Sequence, residues 1–185
     1  MKRLICIGLA LAMLLTAGCA YAEGEEEDAA RVAVNLQAIK AALDRNELAF
    51  TYLEESDGFC VEFNLECAIQ SCTFWIIAYD DGVHIQADYD MKLTGEHLDA
   101  LANYLMYCNS QMRLGAYYID YSEMFTGWEV FLYTDVSAPT QHSLDYAVAT
   151  GLAMLENRGD RVSDILLKGV TAQEAIQMDQ AAQKK

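Results

Sequence analysis

Four apolar or alternating segments follow one another in the first half of the chain, and they restrict the fold more than any other feature. Residues 50–55 and 59–66 flank a turn that holds an Asp-Gly pair, and residues 72–79 and 83–89 flank another. Such a pair supplies the positive backbone angles that reverse a hairpin. Within residues 59–66 apolar and polar side chains alternate, so one strand face is buried and the other is in water. The segments predict an antiparallel meander.

Helical periodicity surrounds these strands. Apolar residues recur at helical spacing over residues 29–45, 96–112 and 143–156, and a second hairpin of about residues 115–121 and 127–135 lies between the last two helices. This order predicts an α+β fold, in which N-terminal, middle and C-terminal helices pack on one antiparallel sheet. The sheet has about five to six strands, arranged as a meander plus a hairpin.

Local signals refine the helices. Asn35 falls on the polar side of the first helix, and Arg158-Gly159-Asp160 is expected to interrupt the last helical region, which ends at Gly169. Thr171-Ala172-Gln173-Glu174 then matches a capping box, so a polar tail helix is expected to begin there.

The first 22 residues have the pattern of a secretory signal peptide. Lys2 and Arg3 precede an apolar run over residues 4–15, and Ala20-Tyr21-Ala22 offers small residues two apart to a signal peptidase. The apolar run is too short to span a bilayer comfortably. We therefore expect an extracytoplasmic protein, secreted or periplasmic.

A second interpretation of the leader is a lipoprotein signal. Leu15-Thr16-Ala17-Gly18-Cys19 resembles a lipobox, in which Cys19 would carry the lipid, although Thr16 stands where a branched aliphatic residue is usual. The two alternatives differ in their consequence, because only lipidated Cys19 would place the chain on a membrane.

The chain divides into four parts on these patterns. Residues 1–22 form the signal peptide, residues 23–30 an acidic flexible spacer, residues 31–170 one α+β domain and residues 171–185 a polar C-terminal helical tail. The spacer is expected to be solvated because its charges are alike. A mature chain of about 160 residues suits a single domain with one core.

Acidic side chains dominate the composition. The chain has 28 acidic and 12 basic side chains, a formal net charge of −16. Such a surface repels phosphate backbones and anionic headgroups, so we expect no nucleic-acid partner. Metal ions or cationic partners are easier to accommodate, and the plain alternative is that the charge keeps the protein soluble.

Four cysteines follow the leader, and an exported protein meets an oxidising compartment that permits disulfides. Cys67 and Cys72 lie at the two ends of a tight connection between predicted strands, so we expect these two to pair. A second pair, Cys60 with Cys108, is the weaker expectation. The alternative is that Cys108 is a small core residue and that all four remain thiols.

No sequence motif commits the chain to a reaction. His84, Gln86, Asp88 and Asp90 alternate along one strand and could line up to hold a metal, but an ordinary solvent-facing strand gives the same pattern. The chain has no Gly-x-Ser-x-Gly, phosphate loop, His-Glu-x-x-His or Cys-x-x-Cys. We expect no enzyme, no catalytic or metal site and no cofactor.

One helix and the hairpin after it resemble a known family. The sequence LDALANYL at residues 98–105, continuing to Asn109, and RLGAYYID at residues 113–120 resemble the YbjN family. The resemblance runs from about Val32 to Gly169. It implies the fold of type III secretion chaperones and a small, commonly dimeric module that acts by protein contact, with no established cofactor.

Aromatic side chains concentrate in the middle helix and the second hairpin, where they suggest an interface. Aromatic residues are enriched where proteins meet partners, although ordinary core packing gives the same concentration. The candidate interface residues are Tyr117, Tyr118, Phe125 and Trp128.

Together these patterns predict a non-catalytic, exported binding or regulatory module of the bacterial envelope, a homodimer with an unidentified envelope protein partner. The alternative is an envelope protein that binds a metal ion or cationic ligand through its acidic surface.

Overall fold

The computed structural model describes residues 26–134 and 137–182. Helix α1 covers residues 26–45. The elements after it are β1 (Thr51–Leu53), a 3-10 turn (Glu54–Ser56), β2 (Gly58–Asn64), β3 (Ser71–Ala78), β4 (Gly82–Tyr89), α2 (Leu98–Asn109), β5 (Ala116–Asp120), β6 (Phe125–Tyr133), α3 (Gln141–Lys168) and α4 (Ala172–Ala182). No helix among these residues is long and apolar enough to cross a membrane.

The six strands form one antiparallel sheet in the order β1-β2-β3-β4-β6-β5. The first four strands follow chain order, and the reversal between β1 and β2 uses Asp57 with a φ of 47°. Helix α2 intervenes between β4 and β5, and the second hairpin then returns with β6 next to β4 and β5 at the sheet edge. The predicted α+β fold, a meander plus a hairpin with packed helices, is confirmed.

Strand alternation sends one side chain from each of five strands into a single buried row. The register pairs these residues across the sheet as Val61, Phe74, Ala87, Trp128 and Tyr117. All five are at most 4% exposed. Helix α3 packs against this row at Gly151, where an added Cβ would lie 2.9 Å from Trp128 and 3.0 Å from Phe74. We call this side of the sheet the covered face.

Helix α1 is fixed to the sheet by a side chain that the sequence places on its polar side. Asn35 is buried, and its Nδ2 donates hydrogen bonds to the carbonyl oxygens of Tyr79 at 2.8 Å and Gly82 at 3.3 Å. The expectation of a solvent-facing Asn35 was wrong, because the turn between β3 and β4 offers carbonyls that helical periodicity does not reveal.

Helix α3 continues without a break for 28 residues. The expected interruption at Arg158-Gly159-Asp160 was wrong, because Gly159 lies within the helix and lets Cys67 pack closely against it. Gly159 is buried, and an added Cβ would lie 2.3 Å from the Sγ of Cys67. The predicted helix end at Gly169 is confirmed, with a φ of 68° and its N–H bonded to the carbonyl of Ile165.

Helix α4 packs on α2 and α3 around one buried charge. Asp179 is 6% exposed and accepts a 2.7 Å hydrogen bond from the hydroxyl of Tyr104 in α2. It also pairs with the guanidinium groups of Arg158 and Arg161 in α3. The predicted capping box at the start of α4 is confirmed, with the N–H of Thr171 donating to Glu174 at 2.9 Å. Burial of Asp179 thus holds the tail helix against the domain.

Candidate functional site

The face of the sheet opposite the helices remains partly exposed, and we call it the open face. The register places Cys60, Trp75, Gln86, Glu129 and Ala116 in a row across five strands. Each of them is half-buried, in contrast to the fully buried neighbours on the covered face. The open face is therefore the largest regular surface through which the sheet can meet another molecule.

A polar cluster lies at the end of the open face where β4 ends. Asp88 is 8% exposed, and its Oδ1 accepts a hydrogen bond from the hydroxyl of Tyr118. Its Oδ2 accepts from the Nε2 of Gln86 at 3.0 Å. Beside it, the hydroxyl of Thr73 donates to Asp90 at 2.8 Å. Both Asp88 oxygens thus have partners within the sheet.

Burial sets the protonation of this cluster. Desolvation raises the pKa of Asp88, and the hydrogen bonds from Tyr118 and Gln86 act in the opposite direction. Desolvation also raises the pKa of Tyr118, and the bond to Asp88 raises it further. Tyr118 therefore remains a protonated donor at neutral pH. The pair can orient a neighbouring group, but the tyrosine is not activated as a base or nucleophile.

The other end of the open face carries an aromatic cluster, Tyr79, Phe131 and Tyr133. The ring of Phe131 contacts both tyrosines, with centroids 5.9 Å from Tyr79 and 4.6 Å from Tyr133. It occupies space over Gly82, where an added Cβ would lie 2.4 Å from the ring. Tyr133 is 75% exposed and Tyr79 43%. All three rings line a shallow depression of about 580 Å³.

A carboxylate and an imidazole border the aromatic cluster. Glu129 Oε2 lies 3.0 Å from His84 Nε2, and the His84 ring stacks on Phe131 at a centroid distance of 6.3 Å. Of the four residues expected to alternate along this strand, His84, Gln86 and Asp88 lie within β4, and Asp90 lies just beyond its end at Tyr89. Among the described residues, no three histidine, cysteine, aspartate or glutamate side chains are arranged to hold a metal ion.

The predicted interface residues divide between the two faces. Tyr118 and Phe125 lie on the open face with their rings 6.3 Å apart. Tyr117 and Trp128 are 4% and 0% exposed, and the hydroxyl of Tyr117 donates to the carbonyl of Met154 in α3 at 2.6 Å. Buried side chains cannot meet a partner in this structure, so we remove Tyr117 and Trp128 from the candidate interface.

The sequence prediction gave no role to Trp75 or Tyr79. It counted Phe131 and Tyr133 among the aromatic residues of the second hairpin but not among the candidate interface residues, although strand alternation contains the signal for all four. Trp75 shares its face with Glu62 and Thr73, and Phe131 shares its face with Glu129. An aromatic side chain that alternates with core residues and shares a face with carboxylates is exposed by register. Applied strand by strand, that rule would have found these four aromatic residues.

All four cysteines of the described chain are free thiols in this structure. Cys67 and Cys72 are close enough to influence each other, since Cys67 contributes to the raised pKa of Cys72, and their pairing stays a prediction. Cys60 is on the open face, whereas Cys108 is buried in α2 near Arg158. A bond between Cys60 and Cys108 would have to pass through the sheet and does not fit this geometry.

A second depression, of about 280 Å³, lies between α1 and α3 on the covered face. Its lining is apolar apart from Asn46 and Asp145, and Asp145 is bonded to Arg45 at 2.5 Å and to Asn46 at 2.9 Å. The two polar residues of the lining thus bind one another, and the depression is a packing gap with no polar group directed at a ligand.

Comparison with known proteins gives one family match. The YbjN family model, described as "Putative bacterial sensory transduction regulator", matches residues 35–163. The match begins within α1, includes the whole sheet and α2, and ends within α3, so that α4 lies beyond it. No curated protein and no solved structure matches the chain.

Proposed function

Because the chain belongs to the YbjN family, we propose that it is a regulatory module that acts by binding a protein partner on the open face of its sheet. The family description supports a regulatory role, and the fold supplies the surface. The observation that carries the proposal is the set of aromatic side chains on the open face, where a merely solvated sheet would carry polar ones.

The size of the open face supports a protein partner. Six strands at a spacing of about 4.8 Å, with about seven residues of 3.3 Å each, give a surface of roughly 600 Å². Each partner in a standard protein interface buries about 800 Å². The sheet and its bordering loops together therefore suit one interface of ordinary size. The aromatic residues of the open face, with Trp75 at its centre and others at both ends, are of the type that contributes most binding energy.

We further propose that the module acts without catalysis. Tyr118 and Gln86 bond to the two oxygens of Asp88, the one carboxylate buried on the open face among the described residues. A general base needs an oxygen within hydrogen-bond reach of a substrate proton. The closed arrangement of Asp88 therefore favours a structural role for it.

The proposed setting is the bacterial envelope. The leader patterns, including Cys19, fall on residues outside those that the structure describes, and the proposal rests on the sequence alone. The intact mass of the protein purified from its native cells tests it. A chain that starts at Glu23 would support soluble export, a diacylated Cys19 would support a lipoprotein, and a chain that starts at Met1 would contradict both.

The homodimer also stays a prediction. Sedimentation equilibrium of the purified protein over a hundredfold range of concentration measures it directly. A constant mass of one chain would exclude self-association in that range.

Site-specific photo-cross-linking in the native cells tests the proposed function. A cross-linking amino acid at Trp75 or Tyr133 should give a discrete adduct with one protein species, identified by mass spectrometry. The matched control is Tyr146 in α3, which is 59% exposed but lies in a helix over the covered face. Adducts at Tyr146 with none at Trp75 or Tyr133 would refute the open face as the binding surface.

A further inference from the structure

We infer that the aromatic cluster Tyr79, Phe131 and Tyr133 binds a lysine or arginine side chain, presented by a basic segment of the partner protein. This inference rests on the proposed function, because it assigns chemistry to the partner that meets the open face. Nothing in the family description specifies that chemistry.

The cluster has the geometry that a cation needs. A cation is attracted to an aromatic face when it lies within about 6 Å of the ring centroid. Tyr79 and Tyr133 both contact the Phe131 ring, with centroids 5.9 Å and 4.6 Å from it, so three aromatic rings lie together where the inferred cation binds. Gly82 makes the arrangement possible, because any side chain there would occupy the position of the Phe131 ring.

Charge beside the cluster favours the same occupant. Glu129 precedes Phe131 by two residues on the same strand face, and its side chain is 42% exposed. A cation over the Phe131 ring would therefore have a carboxylate beside it, which adds a charge-assisted hydrogen bond to the contact with the ring. Arg113 also lines the depression, so the inferred cation must lie beside Glu129 and away from this guanidinium.

Charge also decides against a second copy of the chain on this face. Four acidic side chains lie on the open face of this protein of net charge −16 and outnumber the two basic residues that border it, Lys92 and Arg113. The four are Glu62, Asp90, Asp120 and Glu129. A two-fold interface places the same patch on both subunits. Two such faces would meet with like charges, which disfavours association. A basic segment instead complements the whole surface and is attracted to it before contact.

Binding of a penta-arginine peptide to the purified protein, measured by calorimetry, tests the inference. The tyrosine faces contribute without any charge, so Tyr79→Ala with Tyr133→Ala should weaken binding by about tenfold. General attraction to an acidic protein would leave the affinity of that double variant unchanged, and such a result would overturn the inference. The neutral isostere penta-citrulline should bind at least tenfold more weakly than penta-arginine.

Control variants separate the ring faces from stability. Tyr146→Ala removes a tyrosine of α3 whose exposure lies between those of Tyr79 and Tyr133, and it should leave the affinity unchanged. Tyr133→Phe keeps the ring face and should retain most of the binding. Because Tyr133 is 75% exposed, its variants should unfold at the same urea concentration as the natural chain. Loss of binding in Tyr133→Phe equal to that in Tyr133→Ala would contradict a role for the ring face.

The two proposals can fail separately. If the open face forms a discrete cross-link in cells but penta-arginine binds no better than penta-citrulline, the partner meets this face without a cation and only the inference fails. If cross-links form from Tyr146 alone, the proposed function fails as well. A dimer that dissociates in Tyr133→Ala would show that a second copy occupies the face, which also overturns the inference.

Discussion

The two faces of this sheet come from the same strands and have opposite characters. Trp128 on the covered face is fully buried under α3, while Trp75, on the central strand β3, is half-buried on the open face. Two carboxylates show a similar contrast, since Asp179 is enclosed between three helices and Glu129 is partly exposed beside one histidine, whereas Asp88 is buried on the open face. The comparison teaches that the covered face alone forms the hydrophobic core of the sheet. The open face is available for contacts that contribute little to stability.

The two tryptophans give the largest expected contrast. Trp128→Ala should lower the free energy of unfolding by about 4 kcal/mol, since it leaves a cavity beneath Gly151. Trp75→Ala should cost about 1 kcal/mol or less. Urea unfolding followed by far-UV circular dichroism measures both. Equal losses would show that the open face is covered in solution, against the division between the faces.

The two carboxylates sharpen the comparison. Asp179→Asn removes the charge that Arg158 and Arg161 share and should cost about 3 kcal/mol, because it leaves partly buried cations without a counter-ion. Glu129→Gln, which removes a partly exposed pair with His84, should cost less than about 1 kcal/mol. The same urea titrations apply. A small effect of Asp179→Asn would mean that α4 does not contribute to the stability of the domain.

Asp88 should make stability depend on pH in a defined direction. Burial raises its pKa in the folded state above the ordinary value of 3.8, so the folded protein holds this proton more tightly than the unfolded chain. The stability that this group contributes is complete below pH 3.8 and is lost as the pH rises through the folded-state pKa. Asp88→Asn should remove this decrease in stability with rising pH. Free energies of unfolding measured from pH 3 to 7 for both proteins would reveal the difference.

Asp120 is the matched control, because its pKa is shifted in the opposite direction. Hydrogen bonds from the side chain of Ser122 and from the N–H groups of Glu123 and Ser122 lower the pKa of Asp120. Its contribution is therefore present above pH 3.8 and is lost as the pH falls through the lowered value. Asp120→Asn should flatten the acid side of the profile only. Identical profiles for the two variants would contradict the assignment of the burial effect to Asp88.

The smallest expected effect concerns two cysteines on neighbouring strands. Cys60 is half-buried on the open face, whereas Cys72 is 0% exposed on the covered face and burial raises its pKa to about 12. With reductant present, iodoacetamide should label Cys60 in the native protein and leave Cys72 unmodified until unfolding. Peptide mapping by mass spectrometry distinguishes the two sites. Without reductant, the predicted pairing of Cys67 with Cys72 would leave both unlabelled even after unfolding.

Prediction from the sequence succeeded where the signal is local. Asp57 and Gly169 mark a strand reversal and a helix end in the structure, as their residue types indicate. It failed where a distant partner reverses a local preference. Asn35 is buried because the β3 and β4 turn offers it carbonyls, and Gly159 continues a helix because Cys67 packs against it. Half of the candidate interface was misassigned for the same reason, since aromatic content does not indicate which face a strand buries.

The amino-acid sequence by itself determined the period of each element, the positions of most turns and the acidic charge, since these depend on neighbouring residues. Only the tertiary structure decided that β6, rather than β5, pairs with β4, and this pairing selects which aromatic residues meet. Tyr79 and Phe131 are distant in sequence and become neighbours because Gly82 has no side chain to occupy the position of the Phe131 ring. The alternation of side chains along each strand gives the sheet two faces. The helices that pack on one face determine which side chains stay exposed on the other, where a partner can bind.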